Sequence, residues 1–483
     1  MPAPIPVEGF ALVGNLAGTG SATCPPQVRA YLKRYILAQL RDRSINVDAL
    51  IDSDTTAVVM LEGTVPALAS KGDHFDVRVS LIPGSETTSL RGGWLYEAEL
   101  RPQGPGGPAS RPLATAGGPT FVNFVDVAAP DLTSAYVLGG GRVSDEYSAL
   151  ITLPRADYPL ASAIRNRLSE RHGANVATAV SPRVVECTVP PDYRNRKARF
   201  IEMVAATFMQ VTPELGQTRI ERFVTQLASG VDRPRSEVAL EAIGRESLGR
   251  LVPLLDSADE GTRLRAARVM LSLRDDRALL TLRQIALDPT SAYRLEAIAA
   301  VAATARRNDA VVLLRLLLRD ADRAIVLAAY EHLRQIADPA VVQDFVGRSF
   351  YLERVVQTGH KAIFVARSGD PRIVIFGAPL ACRDSVFVES PGGLVIVDAR
   401  PGQGYMSLVR KNPARPGVIG PLKTGFVLSE VIRALGAEYT ATEGGQLSGL
   451  GVSYAEVIAL LEQMCAKGVV PAQFWPGPLP EFE

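Results

Sequence analysis

The interval from about residue 216 to about 345 constrains this chain more than any other feature. It is rich in Ala, Leu and Arg, has few β-branched runs, and repeats. RLRAARVMLSLRD (263–275), YRLEAIAAVAATAR (293–306) and RAIVLAAYEHLRQ (323–335) recur at a spacing of about 30 residues. Each follows an apolar helical stretch and a turn, and the turns carry Asp256, Asp288 and Asp320 in corresponding places. A helix pair of this length cannot bury its own apolar face, so neighbouring pairs must stack into an α-solenoid. The arginines on these helices read most simply as a solvated face, with a surface for an acidic partner as the alternative.

The flanks have a different character. Residues 1–150 read as short strands broken by Gly and Pro. TTAVVMLEGTVP (55–66) is rich in β-branched residues, and HFDVRVSLIPG (74–84) alternates at Phe75, Val77, Val79 and Leu81. The spacing of Val28, Tyr31, Leu32, Tyr35 and Ile36 predicts a helix over 26–42, and RPQGPGGPASRP (101–112) is a turn or loop. Residues 151–213 read as strand (149–154), helix (159–173, stopped by Gly173), strand (183–190), then a helix running into a strand (196–213), which suggests a small two-layer unit. Strand signals return at 371–380, 385–390 and 392–399, with hairpin turns fitting at ACRD and SPGG. Helices are expected at 424–436 and 453–468, each with a Ser or Thr start and a Gly stop. The expected fold is α+β, with small mixed α/β domains flanking an inserted all-α solenoid. The expected divisions are 1–150, 151–215, 216–365 and 366–483.

Composition narrows the chemistry. Lys+Arg total 52 against Asp+Glu 51, a balance that does not favour nucleic acid as a partner. No apolar run reaches the roughly 18 residues of a bilayer span, and VVLLRLLLR (311–319) is interrupted by Arg315. The amino terminus MPAPIPVEGF lacks the basic and apolar regions of a secretory signal, so either the protein is cytoplasmic or a leader has been removed. Cys24, Cys187, Cys382 and Cys465 have no CxxC spacing, and His74, His172, His332 and His360 are scattered singly, so no metal site is expected.

The glycines of GFALVGNLAGTGS (9–21) invite a phosphate-binding reading, and they fail it. No Lys follows as in GxxxxGK[ST], the order is GxxxGxG rather than GxGxxG, and two prolines delay the next helix. Gly14, Gly18 and Gly20 are therefore expected to shape a tight turn. SLRGGWL (89–95) is expected to be a second such turn, with Arg91 structural beside Gly92 and Gly93. Asp52 and Asp54 read as loop or cap residues rather than an acid–base pair, and neither GxSxG nor HExxH occurs. No cofactor and no catalytic residue is expected, and the bottom-up reading is a non-enzyme.

GFALVGNLAGTGS resembles the GxGLVxGLxGTGD signature of the flagellar basal-body P-ring protein family. The likeness continues through 55–100, including SLRGG, through GGRVSDEY (140–147), and through 160–190 with its helix and following strand. It returns at 427–437 and 451–474. It spans roughly 9–213 and 371–474. The chain departs from the family at Ser21, where the family has Asp, and in the intervening helical repeats, which are similar to HEAT-type repeats and which ordinary P-ring proteins lack.

The resemblance implies a periplasmic structural subunit without catalytic residues, its leader removed. Such a subunit assembles with copies of itself into a ring in the peptidoglycan layer around the flagellar rod, beside the L-ring. The solenoid is then an added surface for a protein partner. A non-flagellar binding scaffold built on the same solenoid is the alternative. A periplasmic location makes Cys382–Cys465 the most plausible disulfide. Closing a loop of about 80 residues would contribute roughly 3–5 kcal/mol, with two buried thiols as the competing expectation.

Overall fold

Alternating apolar positions at the amino terminus build a barrel. In the computed structural model, which describes residues 3–21, 23–39, 46–104, 110–145, 149–209, 212–411, 418–439 and 448–482, β1 (Ile5–Gly14) leads into two helices, α1 (Pro26–Gln39) and α2 (Val47–Ile51). Strands β2 (Ala57–Val65), β3 (His74–Leu81), β4 (Trp94–Pro102), β5 (Ala114–Pro119) and β6 (Ser134–Val143) follow, and the six close in the order β1-β2-β3-β6-β5-β4. Closure removes the exposed strand edges that would otherwise template aggregation. Leu12 and Val58, paired across β1 and β2, cluster with Ile82 and with Leu32, Val47 and Ile51 of the two helices.

The helix predicted over 26–42 is thus α1, with 40–42 outside the described residues. Helix α2 gives no periodic signal because it has five residues. Its start is fixed by the Asn46 side chain, which accepts from the amides of Asp48 and Ala49. Within the loop expected over 101–112, β4 runs on to Pro102 and residues 105–109 lie outside the described residues. So do Glu146 and Tyr147 of GGRVSDEY.

Residues 147–340 form one compact unit, and 3–146 with 341–483 form another. The first begins with β7 (Ala149–Thr152), α3 (Tyr158–His172), β8 (Ala177–Ser181), β9 (Val184–Cys187) and α4 (Lys197–Ala206). The strands make an antiparallel sheet of order β7-β9-β8. Helix α3 buries Ala161 and Leu168 against Leu153, Ala177, Val185 and Cys187. Asp157 caps α3 by accepting from the Leu160 amide, and Gly173 ends it. Strand β8, a five-residue piece, is absent from the sequence expectation. The strand expected after α4 does not form over 207–209, where the chain turns toward the next helix, and 210–211 lie outside the described residues.

Helices α5 (Pro213–Ser229), α6 (Arg233–Ile243), α7 (Leu248–Leu251), α8 (Glu260–Ser272), α9 (Leu279–Leu287), α10 (Arg294–Thr304), α11 (Arg307–Leu317) and α12 (Arg323–Gln335) complete this unit. The three recurring segments are α8, α10 and α12. Helix α8 packs on α6 and α10, and α10 on α12. Ion pairs repeat with the helices. Arg233–Asp259 and Arg294–Asp320 each join residues 26 apart, and Arg265–Glu237 and Arg268–Glu296 each join residues 28 apart. Of the three aspartates marked in the sequence, Asp320 holds Arg294 and Asp288 accepts from Thr290, while the equivalent pairing to Arg233 falls to Asp259 rather than Asp256.

After Asp338 the chain returns to strands: β10 (Val341–Val346), β11 (Phe350–Val355), β12 (Ala362–Val365), β13 (Arg372–Phe376), β14 (Val386–Glu389), β15 (Val395–Ala399), β16 (Met406–Lys411) and β17 (Val418–Thr424). Helices α13 (Leu428–Gly436) and α14 (Tyr454–Ala466) and strand β18 (Gln473–Pro476) finish the chain. One sheet has the order β10-β11-β13-β12-β18 and the other β14-β15-β16-β17. Residues 341–365 therefore hold three strands and no helix, although the sequence places them in the helical interval. The Ala/Leu period stops at Gln335, and the β-branched and aromatic residues of VVQDFV and FYLERV take over.

The turn at SPGG is a hairpin between β14 and β15, as expected. That at ACRD is not: β13 already has β11 and β12 on its two sides, so β14 starts the second sheet. Helix α13 starts at Leu428, without a side-chain cap, because Thr424 ends β17. Helix α14 is capped by Ser453, packs on β14 and β18, and buries nearly every residue from Tyr454 to Leu461. The architecture is α+β, and no described helix is long and apolar enough to cross a membrane.

Candidate functional site

The two glycine-bearing turns, some 70 residues apart in sequence, lie against each other at one end of the barrel. The Thr88 amide donates to the Thr19 carbonyl at 2.9 Å, Thr19 Oγ1 donates to the Ser89 carbonyl at 2.8 Å, and Asn15 Nδ2 donates to the Gly92 carbonyl at 3.1 Å. Gly14, the last residue of β1, pairs with Trp94 of β4, and Gly18 and Gly92 have φ of 76° and 70°. Two positions leave no room for a side chain. A Cβ on Gly20 would lie 2.1 Å from the Thr56 carbonyl oxygen, and one on Gly93 would lie 2.5 Å from Val13 Cγ1. The Gly20 amide donates to the Asp54 carbonyl at 2.8 Å, so the first turn is also tied to the loop that precedes β2.

Arg91 leaves this junction and reaches the carboxyl-terminal part of the same unit. Its Nε donates to Glu456 Oε1 at 3.1 Å, its Nη2 to the same oxygen at 2.5 Å and to the Pro391 carbonyl at 2.7 Å, and the guanidinium lies 5.1 Å from the Phe124 ring centre. The Glu456 side chain is only 6% exposed. Its other oxygen accepts from Ser453 Oγ at 3.1 Å, so the carboxylate also belongs to the α14 cap. One arginine thus joins a barrel turn, the β14–β15 hairpin and the start of α14. A buried pair of this kind is costly to break from one side, because the remaining charge is left without a partner.

Other contacts run parallel to it. Asp76 of β3 accepts from the amides of Gly139 at 2.7 Å and Gly369 at 2.9 Å; burial, the largest influence, pushes its carboxyl above the usual range, and the two amides oppose that shift. Arg367 donates to the carbonyls of Gly477 and Val125, at 2.7 and 3.2 Å. Tyr454 donates to the Ala366 carbonyl at 2.6 Å and makes tilted ring contacts with Phe121 and Phe350; burial raises its phenol far above normal. Sequence reasoning singled out Arg91 but none of Asp76, Arg367, Tyr454 or Glu456. The Ser453-x-x-Glu456 spacing of a capping box was legible; the other three carry no local signal.

The remaining candidates occupy separate places. Asp52 ends α2 and pairs with Arg29 at 2.7 Å, which holds its carboxyl below the usual range. All four cysteines are free thiols in this structure, so the Cys382–Cys465 bridge is not formed. The two are near enough to interact: burial, then the neighbouring Cys465, pushes Cys382 up to about 12, and burial raises Cys465 to about 11. His172 packs edge-on against Phe200. Burial first, then Arg171 and Arg167, lowers it to about 4, and its buried Nε2 has no hydrogen-bond partner.

Residues 4–220 match the sequence model of the flagellar P-ring protein family. Among curated proteins, the flagellar P-ring protein of Campylobacter jejuni (strain 81-176) is 31% identical over 200 residues, which cover 39% of this chain and 54% of the relative. Flagellar P-ring protein 1 of Bradyrhizobium diazoefficiens (strain USDA 110) is 26% identical over 220 residues, 43% of this chain and 56% of the relative. The chain thus spans about half the length of the curated relatives it matches. The matched region holds the whole barrel, both glycine turns and Arg91, and ends inside α5.

Proposed function

We propose that this chain is a P-ring-like structural subunit, not an enzyme, and that the barrel with its two interlocked turns is the part it shares with that family. The match over residues 4–220 carries this reading. The geometry supports it: the residues that stand out there, Gly20, Gly93 and Arg91, are committed to backbone approach and to a buried ion pair rather than to a reacting group.

In this reading the chain works in the periplasm, at the flagellar basal body. Copies associate head to tail and close into a ring around the rod, within the peptidoglycan layer and beside the L-ring. The helices from Pro213 to Gln335 form a HEAT-type solenoid offering a further protein-binding surface, in line with the packing of α6, α8, α10 and α12 on one another. The domain divisions expected from the sequence belong to the proposal, with the helical part ending at 340 rather than 365. In an oxidising compartment Cys382 and Cys465 join in a disulfide. Sedimentation velocity on the full chain across a concentration series tests the proposal: large closed oligomers are expected. A monomer at every concentration, also with rod proteins added, would favour the non-flagellar scaffold. That second reading draws on the match ending where the helical stack begins.

A further inference from the structure

The unit spanning 147–340 contains a cleft of about 820 Å³ between α4, α5, α6 and α8. Six arginines line it (Arg199, Arg219, Arg222, Arg235, Arg265 and Arg268) against three acids, Glu202, Asp232 and Glu237, a net charge of +3.

The arginines fall into two sets. The inner three are fixed on buried carboxylates. Arg265 meets Glu237 at 2.8 Å, Arg268 meets it at 3.2 Å, and Arg199 bridges Glu237 and Glu241 at 3.0 and 2.7 Å. The glutamates are only 2% and 3% exposed, and Arg199 also meets Glu202 at 3.3 Å and Arg268 meets Glu296 at 2.9 Å, so these three guanidiniums are neutralised and the cleft's positive character lies in the outer set. The outer set is differently placed. Arg222 and Arg235 have exposed side chains that pair with no described residue. Arg219 lies 4.1 Å over the Phe208 ring.

Apart from Thr207 and Gln226, the rest of the lining is apolar. Phe208 and Phe223 lie 6.2 Å apart and adjoin Ala206, Val238 and Ala239. A volume of this size falls within the ~300–1,000 Å³ of ordinary ligand sites. The apolar walls reduce screening of the arginines relative to a flat surface. An aromatic floor under a cationic rim matches a peptide that alternates carboxylates with an apolar side chain, better than a polyphosphate, which would leave the floor uncovered.

We propose that this cleft is the docking site for an acidic peptide segment of a partner protein. Carboxylates of the segment lie on Arg222 and Arg235, and an apolar or aromatic side chain packs against Phe208 and Phe223. The inference deepens the reading of the helical stack as an interaction surface, and it does not require ring formation.

Fluorescence anisotropy with the full chain tests it, using a labelled Glu-Glu-Phe-Glu-Glu-Leu peptide. The comparison probes are its Gln-for-Glu counterpart and a single-stranded oligonucleotide of similar length. The acidic peptide is expected to bind best, with affinity falling as salt rises. Arg222→Gln with Arg235→Gln should weaken it about tenfold or more, while Arg306→Gln, an exposed arginine away from the cleft, should not. Both rim positions are exposed, and a thermal melt checks that the double variant is folded. The proposal is overturned if the acidic peptide does not bind, if the rim variant binds as well as the parent, or if the oligonucleotide binds more tightly. Loss of binding with oligomers intact would sink this inference alone. Absence of oligomers with binding intact would sink only the ring reading.

Discussion

The two units of this molecule hold together by different means. In the unit made of 3–146 and 341–483, single contacts join residues hundreds of positions apart: Arg91 with Glu456 is a separation of 365, and Asp76 with Gly369 is 293. In the unit of 147–340, ion pairs recur at separations of 26 and 28, each linking one helix of the stack to the next. The difference is one of redundancy. A repeated short-range contact can fail once without uncoupling its neighbours, because each helix is also held by packing on both sides. A long-range contact has no such repeat, and only the few others that join the same two stretches of chain can share its loss.

The largest expected effect tests that difference. Arg91→Ala leaves the Glu456 carboxylate buried beside apolar surface, and urea denaturation should show a loss of about 3–5 kcal/mol. Combining it with Glu456→Gln should restore part of the loss, a coupling of about 1–3 kcal/mol in a double-mutant cycle. Additive losses would show that the pair does not join the two stretches. Next comes Gly20→Ala. With Thr56 oxygen 2.1 Å from the new Cβ, backbone at the first turn and in the loop before β2 must shift, at a cost of about 3 kcal/mol. A melting temperature unchanged from the parent would contradict the close approach.

A smaller effect belongs to the other unit and depends on pH. His172 is held neutral, lowered from its ordinary 6.5 to about 4. As pH falls through that window the unfolded chain takes up the proton first, so stability is fully present above about pH 6.5 and is lost progressively toward pH 4. The partial exposure of the ring limits the loss to about 1–2 kcal/mol. His172→Gln should flatten the dependence over this range, and an unchanged slope would assign it to other groups. The smallest effect should come from Glu296→Ala, which removes a half-exposed partner of Arg268. A loss of about 0.5 kcal/mol or less is expected, and one approaching that of Arg91→Ala would erase the contrast between the units.

How much of this was legible in the sequence follows the same division. The helical repeats announce themselves because their contacts are local, so period and packing coincide, and α8, α10 and α12 lie where the repeats place them. Strands β2 and β3 were readable from alternation, and the Gly173 stop and Ser453 start from capping chemistry. Strands β8 and β10–β12 were not, since four to six residues carry too little pattern to compete with a neighbouring helical signal. At the barrel junction the glycines and Arg91 could be marked from local sequence. That Arg91 meets Glu456 could not, because nothing near either residue encodes a partner 365 positions away.

Whether the barrel unit serves a ring is decided most directly by imaging the full chain by electron microscopy after concentration to drive assembly, with and without rod proteins. A P-ring-like subunit predicts closed rings of uniform diameter, which Arg91→Ala should reduce. Isolated single particles under both conditions would contradict a structural ring role.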